Sequence, residues 1–145
     1  MRAIARRTIN LAILALAGKV AVRADTHADV VDLFAQMAAA LSDDNAAQFI
    51  KSFDRKFAED SHLEAQITAL LANSEVASSV ELLQDEGDEG KREIEADWFL
   101  ELRSRVRGGP LVQRRSVINC HVEKQGKHWR IVSMKPMEFF DASKN

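Results

Sequence analysis

At 145 residues the chain is long enough for one domain around one core. Its 20 basic and 22 acidic residues nearly balance, but residues 1–24 hold five cations and no acid, so the remainder carries 15 basic against 22 acidic residues, a net of −7. An acidic body argues against nucleic acid and anionic membrane surfaces as partners, since both require clustered Lys and Arg. The single cysteine, Cys120, excludes an internal disulfide.

The chain opens with Arg2, Arg6, Arg7, Lys19 and Arg23 around the apolar run Ile9 to Gly18, followed by small residues at Val22-Arg23-Ala24. This layout predicts a secretory signal peptide over residues 1–24, a mature domain over residues 25–145, and export to a bacterial periplasm or medium. Ten apolar residues are too few to cross a bilayer, and no membrane association is expected once the leader is removed. A transit peptide, an uncleaved anchor and a basic amphipathic helix remain open alternatives. Arg6-Arg7 invites a twin-arginine reading, which Asn10 opposes.

Thr26 precedes an apolar stripe of Val30, Leu33, Phe34, Met37 and Leu41, the spacing of one helical face. Ser42-Asp43-Asp44-Asn45 stops this helix and caps the next, whose buried edge is Phe49, Ile50, Phe53 and Phe57. Ser61 and Glu64 read as a capping box for a third helix with the stripe Leu63, Ile67, Leu70 and Leu71, ending at Asn73-Ser74.

From there the period changes to two. Val76, Val80 and Leu82 form a first strand, Asp85 to Gly90 a solvated acidic turn, and Ile94, Ala96, Trp98, Leu100 and Leu102 the inner face of a second strand. Gly108-Gly109-Pro110 turns into a third strand with Ser116, Ile118, Cys120 and Val122 inward. Gln125-Gly126 closes a hairpin that should pair Glu123 with His128, Val122 with Trp129 and Cys120 with Ile131. The same parity brings Trp98 near Cys120 and Leu100 near Ile118. Beyond Pro136, residues Met137, Phe139 and Phe140 read as a tail that docks. The predicted class is α+β: three N-terminal helices packed on a strongly curved antiparallel sheet.

The segments Trp98-Phe99-Leu100-Glu101-Leu102-Arg103 and Trp129-Arg130-Ile131-Val132, within this order of elements, resemble the nuclear transport factor 2-like superfamily. Its cone-like, cystatin-like roll is shared by ketosteroid isomerase, scytalone dehydratase and polyketide cyclases. The similarity spans about Ala28 to Phe140, and these segments look like exported bacterial branches of unknown function. These are packing motifs, so they speak to fold rather than chemistry. One departure is the lack of a strand between the second and third helices. The resemblance implies a pocket between helices and concave sheet, and association through the sheet.

The implied pocket would be lined by Phe34, Met37, Leu70, Trp98 and Leu100, with Arg114 and Ser116 at its polar edge and an apolar small molecule as guest. Ser78 and Ser133 are the other polar residues of the concave face. The chain has no tyrosine, which excludes a tyrosine-based oxyanion hole. A general base would have to come from Asp54, Glu59, Asp60, His62 or Glu64 on the helices. No catalytic residue, metal or cofactor is expected.

Four other groupings have plainer explanations. Cys120 and His121 are adjacent on a strand and point to opposite faces, so they form no dyad. His121, Glu123 and His128 share the outer face, where an ion pair with Asp97 accounts for His121 better than a metal does. The acidic turn lacks the spaced ligands of a calcium loop. Arg103, Arg105, Arg107, Arg114 and Arg115 surround the glycine turn, as salt bridges at a sheet end would. Phe99, Val117, Val132 and Met134 fall on outward positions and predict an apolar homodimer interface, with Asp97 or Glu101 reaching Arg115 or Arg130 of the partner. The favoured function is a non-enzymatic binding or accessory module. An isomerase, dehydratase or cyclase and a structural interaction domain docking through the arginine patch are the alternatives.

Overall fold

The computed structural model describes residues 25–143, so the expected signal peptide lies outside the described residues. Helix α1 covers 25–42, followed by α2 (Ala46–Ile50), α3 (Arg55–Asp60) and α4 (Leu63–Asn73). The sheet follows: β1 (Ser74–Gly87), β2 (Lys91–Ser104), β3 (Leu111–Gln125) and β4 (His128–Lys135), antiparallel in the order β1-β2-β3-β4, then a 3-10 turn at Met137–Phe140. The sheet is curled without closing, and the helices fill its concave side. Among the described residues no helix is long and apolar enough to cross a membrane.

The helical stripes are buried as their spacing demands: Val30, Phe34, Met37 and Leu41 of α1 and Leu63, Ile67, Leu70 and Leu71 of α4 all join one core. Asp44 turns the chain with a left-handed φ of 58°, and the Asn45 side chain then accepts the Gln48 N–H at 3.0 Å to start α2.

The segment read as one second helix is in fact two. After a turn at Lys51-Ser52, Phe53-Asp54 runs extended between α2 and α3, and Phe53 makes a parallel bridge to Ile131. Ile131 N–H donates to the Ser52 carbonyl at 2.9 Å and Asp54 N–H to the Ile131 carbonyl at 2.8 Å. A strand-like segment is therefore present where none was expected, and it covers the open edge of β4. Asp54 begins α3 by accepting the Phe57 N–H at 3.1 Å, and its other oxygen accepts from Gln125 Nε2 at 2.8 Å.

The Ser61–Glu64 capping box does not form. Ser61 closes α3 instead, donating its hydroxyl to the Phe57 carbonyl at 2.7 Å, and His62 precedes α4 in the left-handed conformation with no side-chain cap. The connection between α3 and α4 is too short for Ser61 to serve both helices.

Face assignments on β2 and β3 are as the alternation indicates, but the registers are not. Trp98 lies opposite Ser116, and Cys120 opposite Ile94, because the β2–β3 connection is longer than its glycines suggest. A shift by an even number of residues leaves every side chain on its face. At the last hairpin Gln125 pairs with His128, and Val122 with Ile131. A bulge at Val132 then resets the parity, placing Met134 opposite Cys120 on the core face and Ser133 opposite His121 on the outer face. A second bulge, at Leu83 on β1, does the same for Asp85. β1 also runs further than expected, to Gly87, whose φ of 144° and close approach to the Lys91 carbonyl leave no room for a Cβ.

Candidate functional site

The residues expected to line a pocket are the densest part of the core. Phe34, Met37, Leu70, Trp98 and Leu100 are each at most 1% exposed. Ring centroids of Phe34, Phe49 and Phe140 lie 6.0, 6.5 and 5.1 Å from that of Trp98. The Trp98 indole N–H donates to the Ser78 hydroxyl at 2.8 Å, so its polar atom is satisfied inside the cone.

The space of the expected guest is taken by the chain's own tail. Phe140 is fully buried against Trp98 and Phe49, and two side chains hold the turn that carries it. Arg114 donates to the carbonyls of Phe139 at 2.9 Å and Asp141 at 2.6 Å. Gln66 Nε2 donates to the Met137 carbonyl at 2.6 Å and the Asp141 carboxylate at 3.0 Å. Arg114 is thus a clamp on the tail. Ser116 is half-buried opposite Trp98 and makes only a 3.4 Å contact with the Val117 carbonyl.

No ionisable side chain of the described residues enters this interior except the Cys120 thiol, which burial pushes up to about 12, leaving it inert as a nucleophile. The helical acids considered as bases lie elsewhere. Asp54 is a cap, Glu59 pairs with Arg55 at 3.2 Å across one helical turn, and Asp60, His62 and Glu64 are exposed.

At the rim, the structure assembles a cluster that sequence reading missed. The bulge at Leu83 turns Asp85 inward opposite Ile94, where its carboxylate takes Arg92 Nε on one oxygen and His27 Nδ1–H, at 2.6 Å, on the other. Asp85 and Arg92 side chains are only 5% and 11% exposed, while His27 is half-exposed. Asp85 is therefore not part of a solvated turn. The turn proper is Asp88, which accepts the Gly90 and Lys91 N–H groups at 2.8 Å and whose carboxyl those bonds hold below the ordinary carboxylate range. A cavity of about 710 Å³ lies beside Asp85 and Arg92, with Thr26 on its wall. The signal in the sequence was the parity of Arg92, which matches inward-facing Ile94. With Nδ1 taken by the Asp85 carboxylate, Nε2 is the remaining ring nitrogen of His27.

On the outer face, Phe99 and Val117 are diagonal neighbours, Phe99 lying opposite Arg115 and Val117 opposite Asp97. Val117 is 43% exposed and Phe99 is half-buried. Val132 lies further along at the β4 bulge, and Met134 is buried in the core, so neither joins Phe99. Asp97 and Arg115 pair within the chain at 2.6 and 3.1 Å, rather than reaching across an interface. The bidentate guanidinium bond holds the Asp97 carboxyl below its ordinary range and Arg115 above its own.

The remaining groupings come apart. His121 faces Glu93 at 3.6 Å rather than Asp97, Glu123 faces Lys91 at 3.6 Å, and His128 lies at the hairpin opposite Gln125. Among the described residues no cluster of three metal-ligating side chains forms. The arginines disperse: Arg105 bonds the Leu71 carbonyl at 2.9 Å and approaches Asp44 at 3.4 Å, Arg114 clamps the tail, and Arg115 takes Asp97.

No family model matches the chain, and no curated protein matches it by sequence. Solved structures do match in shape. A conserved protein from Planctomyces limnophilus superposes with a TM-score of 0.68 at 10% identity, over 77% of this chain and 94% of that one. A candidate aromatic ring hydroxylase from Novosphingobium aromaticivorans gives 0.62 at 12% identity, over 76% and 86%. A protein of unknown function with a cystatin-like fold from Nostoc punctiforme gives 0.52 at 13% identity, over 74% and 86%. At such identities the likeness is one of fold alone, and the fold is the cystatin-like α+β roll.

Proposed function

We propose that this chain is an exported, non-enzymatic binding or accessory domain of the nuclear transport factor 2-like kind, working as a homodimer joined through its outer sheet face. One observation carries the reading. The interior that would hold a guest and a catalytic base is packed with Phe34, Phe49, Trp98 and Phe140, while Val117 is exposed and Phe99 half-buried on the opposite side. Leaving a large apolar side chain in water forgoes roughly 1.5–3 kcal/mol, which a second copy of the face would recover. The basic, acid-free start of the chain supports export. A candidate calcium/calmodulin-dependent protein kinase II association domain from Xanthomonas campestris shares the fold, with a TM-score of 0.56 at 16% identity over 72% of this chain and 81% of that one. The test is sedimentation at micromolar concentration: the parent should run as a dimer and Phe99→Glu as a folded monomer. A monomeric parent would overturn the reading.

An isomerase, dehydratase or cyclase is the second reading, and the bond of His27 to Asp85, which itself lines a cavity of about 710 Å³, is what favours it. It requires that His27→Ala abolish turnover of a small hydrophobic substrate without loss of fold.

A further inference from the structure

A second cavity, of about 550 Å³, opens between α1, the end of α2 and the β3–β4 hairpin. Its volume is that of a small-molecule site. Asp29 and Asp32, one helical turn apart, line it from α1, and Lys51, Lys127 and Arg130 line it from α2 and the hairpin. The buried Trp129 lies among them.

Arg115 takes Asp97, Lys91 approaches Glu123, Arg55 takes Glu59 and Arg105 approaches Asp44. In the cleft the two acids and three cations form no ion pair with one another or with any other described residue. The backbone explains why the supporting elements do not close. The Ser52–Asp54 segment is stitched to Ile131 by two backbone hydrogen bonds, and the hairpin is tied to Asp54 through Gln125, so the elements bearing Lys51, Lys127 and Arg130 are fixed. Asp29 and Asp32 are fixed equally by the burial of Val30, Leu33 and Phe34 between and beside them. The result is a cleft with a field across it, negative groups on one element and positive groups on the others.

A simple anion would meet the aspartates, and a simple cation the lysines. The geometry points to a small peptide-like zwitterion as the occupant, with its ammonium end at Asp29 and Asp32 and its carboxylate end at Lys51, Lys127 and Arg130. This site is independent of the outer sheet face, and it stands or falls separately from the dimer.

The experiment titrates the full chain with triglycine, followed by amide chemical shifts, beside N-acetyl-triglycine, which lacks the ammonium, and triglycinamide, which lacks the carboxylate. Triglycine should saturate shifts at residues around Asp32, Lys51 and Lys127, with a Kd of about 1 mM or tighter. Each blocked peptide should bind roughly tenfold more weakly, as should triglycine to Asp32→Asn or Lys51→Gln, whereas Glu75→Gln on the outer face should bind as the parent does. Both cleft changes are at exposed positions, and unchanged circular dichroism verifies the fold. Failure to saturate, equal binding of a blocked peptide, or full affinity in both cleft variants would overturn the assignment.

Discussion

Replacing Phe140 by alanine removes the ring that closes the cone. The side chain is fully buried, with centroids 5.1 Å from Trp98, 5.6 Å from Phe49 and 5.0 Å from Phe139, so its loss removes one ring contact from each of three aromatic neighbours. Truncation of a buried phenylalanine costs about 3–5 kcal/mol, transfer and cavity contributions together. With a urea dependence of about 2 kcal/mol per molar, the midpoint should fall by roughly 2 M. The same variant should gain an apolar hole beside Trp98, and an apolar cavity of that kind stays dry and admits benzene. Tryptophan fluorescence during urea denaturation, repeated with benzene present, reads both effects, and benzene should restore part of the lost midpoint only in the variant. A midpoint within about 0.5 M of the parent's would show that the tail is not part of the core, and the interior would then be an open pocket after all.

Asp54→Ala should cost about 1 kcal/mol through loss of the α3 cap, and more if the Gln125 tie to the hairpin also matters, measured by urea denaturation. The bond from Gln125, then the Phe57 N–H, holds the Asp54 carboxyl below its ordinary value, and Arg115 does the same for Asp97. A depressed folded value stabilises the fold above the ordinary carboxylate pKa of about 4 and ceases to do so as pH falls through the folded one. Denaturation midpoints should accordingly be flat from about pH 5 to 7 and drop below about pH 4, less steeply in Asp54→Asn. The Cys120 thiol, with its pKa pushed up to about 12, should resist a thiol-specific disulfide reagent at pH 8 until the protein is unfolded; fast reaction in native buffer would contradict its burial.

Much of the fold was legible because its periods are clean. Alternation along Ile94, Ala96, Trp98, Leu100 and Leu102 named the inner face of β2 without reference to any partner strand, and the stripes of α1 and α4 did the same. Register and cap were less legible, since each depends on geometry that a local pattern does not encode. Bulges at Leu83 and Val132 reset parity on strands whose alternation looked continuous. One moved Met134 into the core, and the other brought Asp85 to Arg92 and His27, residues more than fifty positions apart at their extremes. The docking of the tail was visible in Phe139-Phe140, yet what it displaces was not. Only the three-dimensional packing shows that Phe140 occupies the place a guest would take.

The account turns on which face of the sheet meets a partner, and one spectrum addresses it. In a sample mixing isotopically labelled with unlabelled protein, filtered nuclear Overhauser spectra report only contacts between copies. The outer-face dimer predicts cross-peaks between the Phe99 ring of one copy and the Val117 methyls of the other. A dimer that shows intermolecular contacts elsewhere, or none because the protein is a monomer, would contradict it.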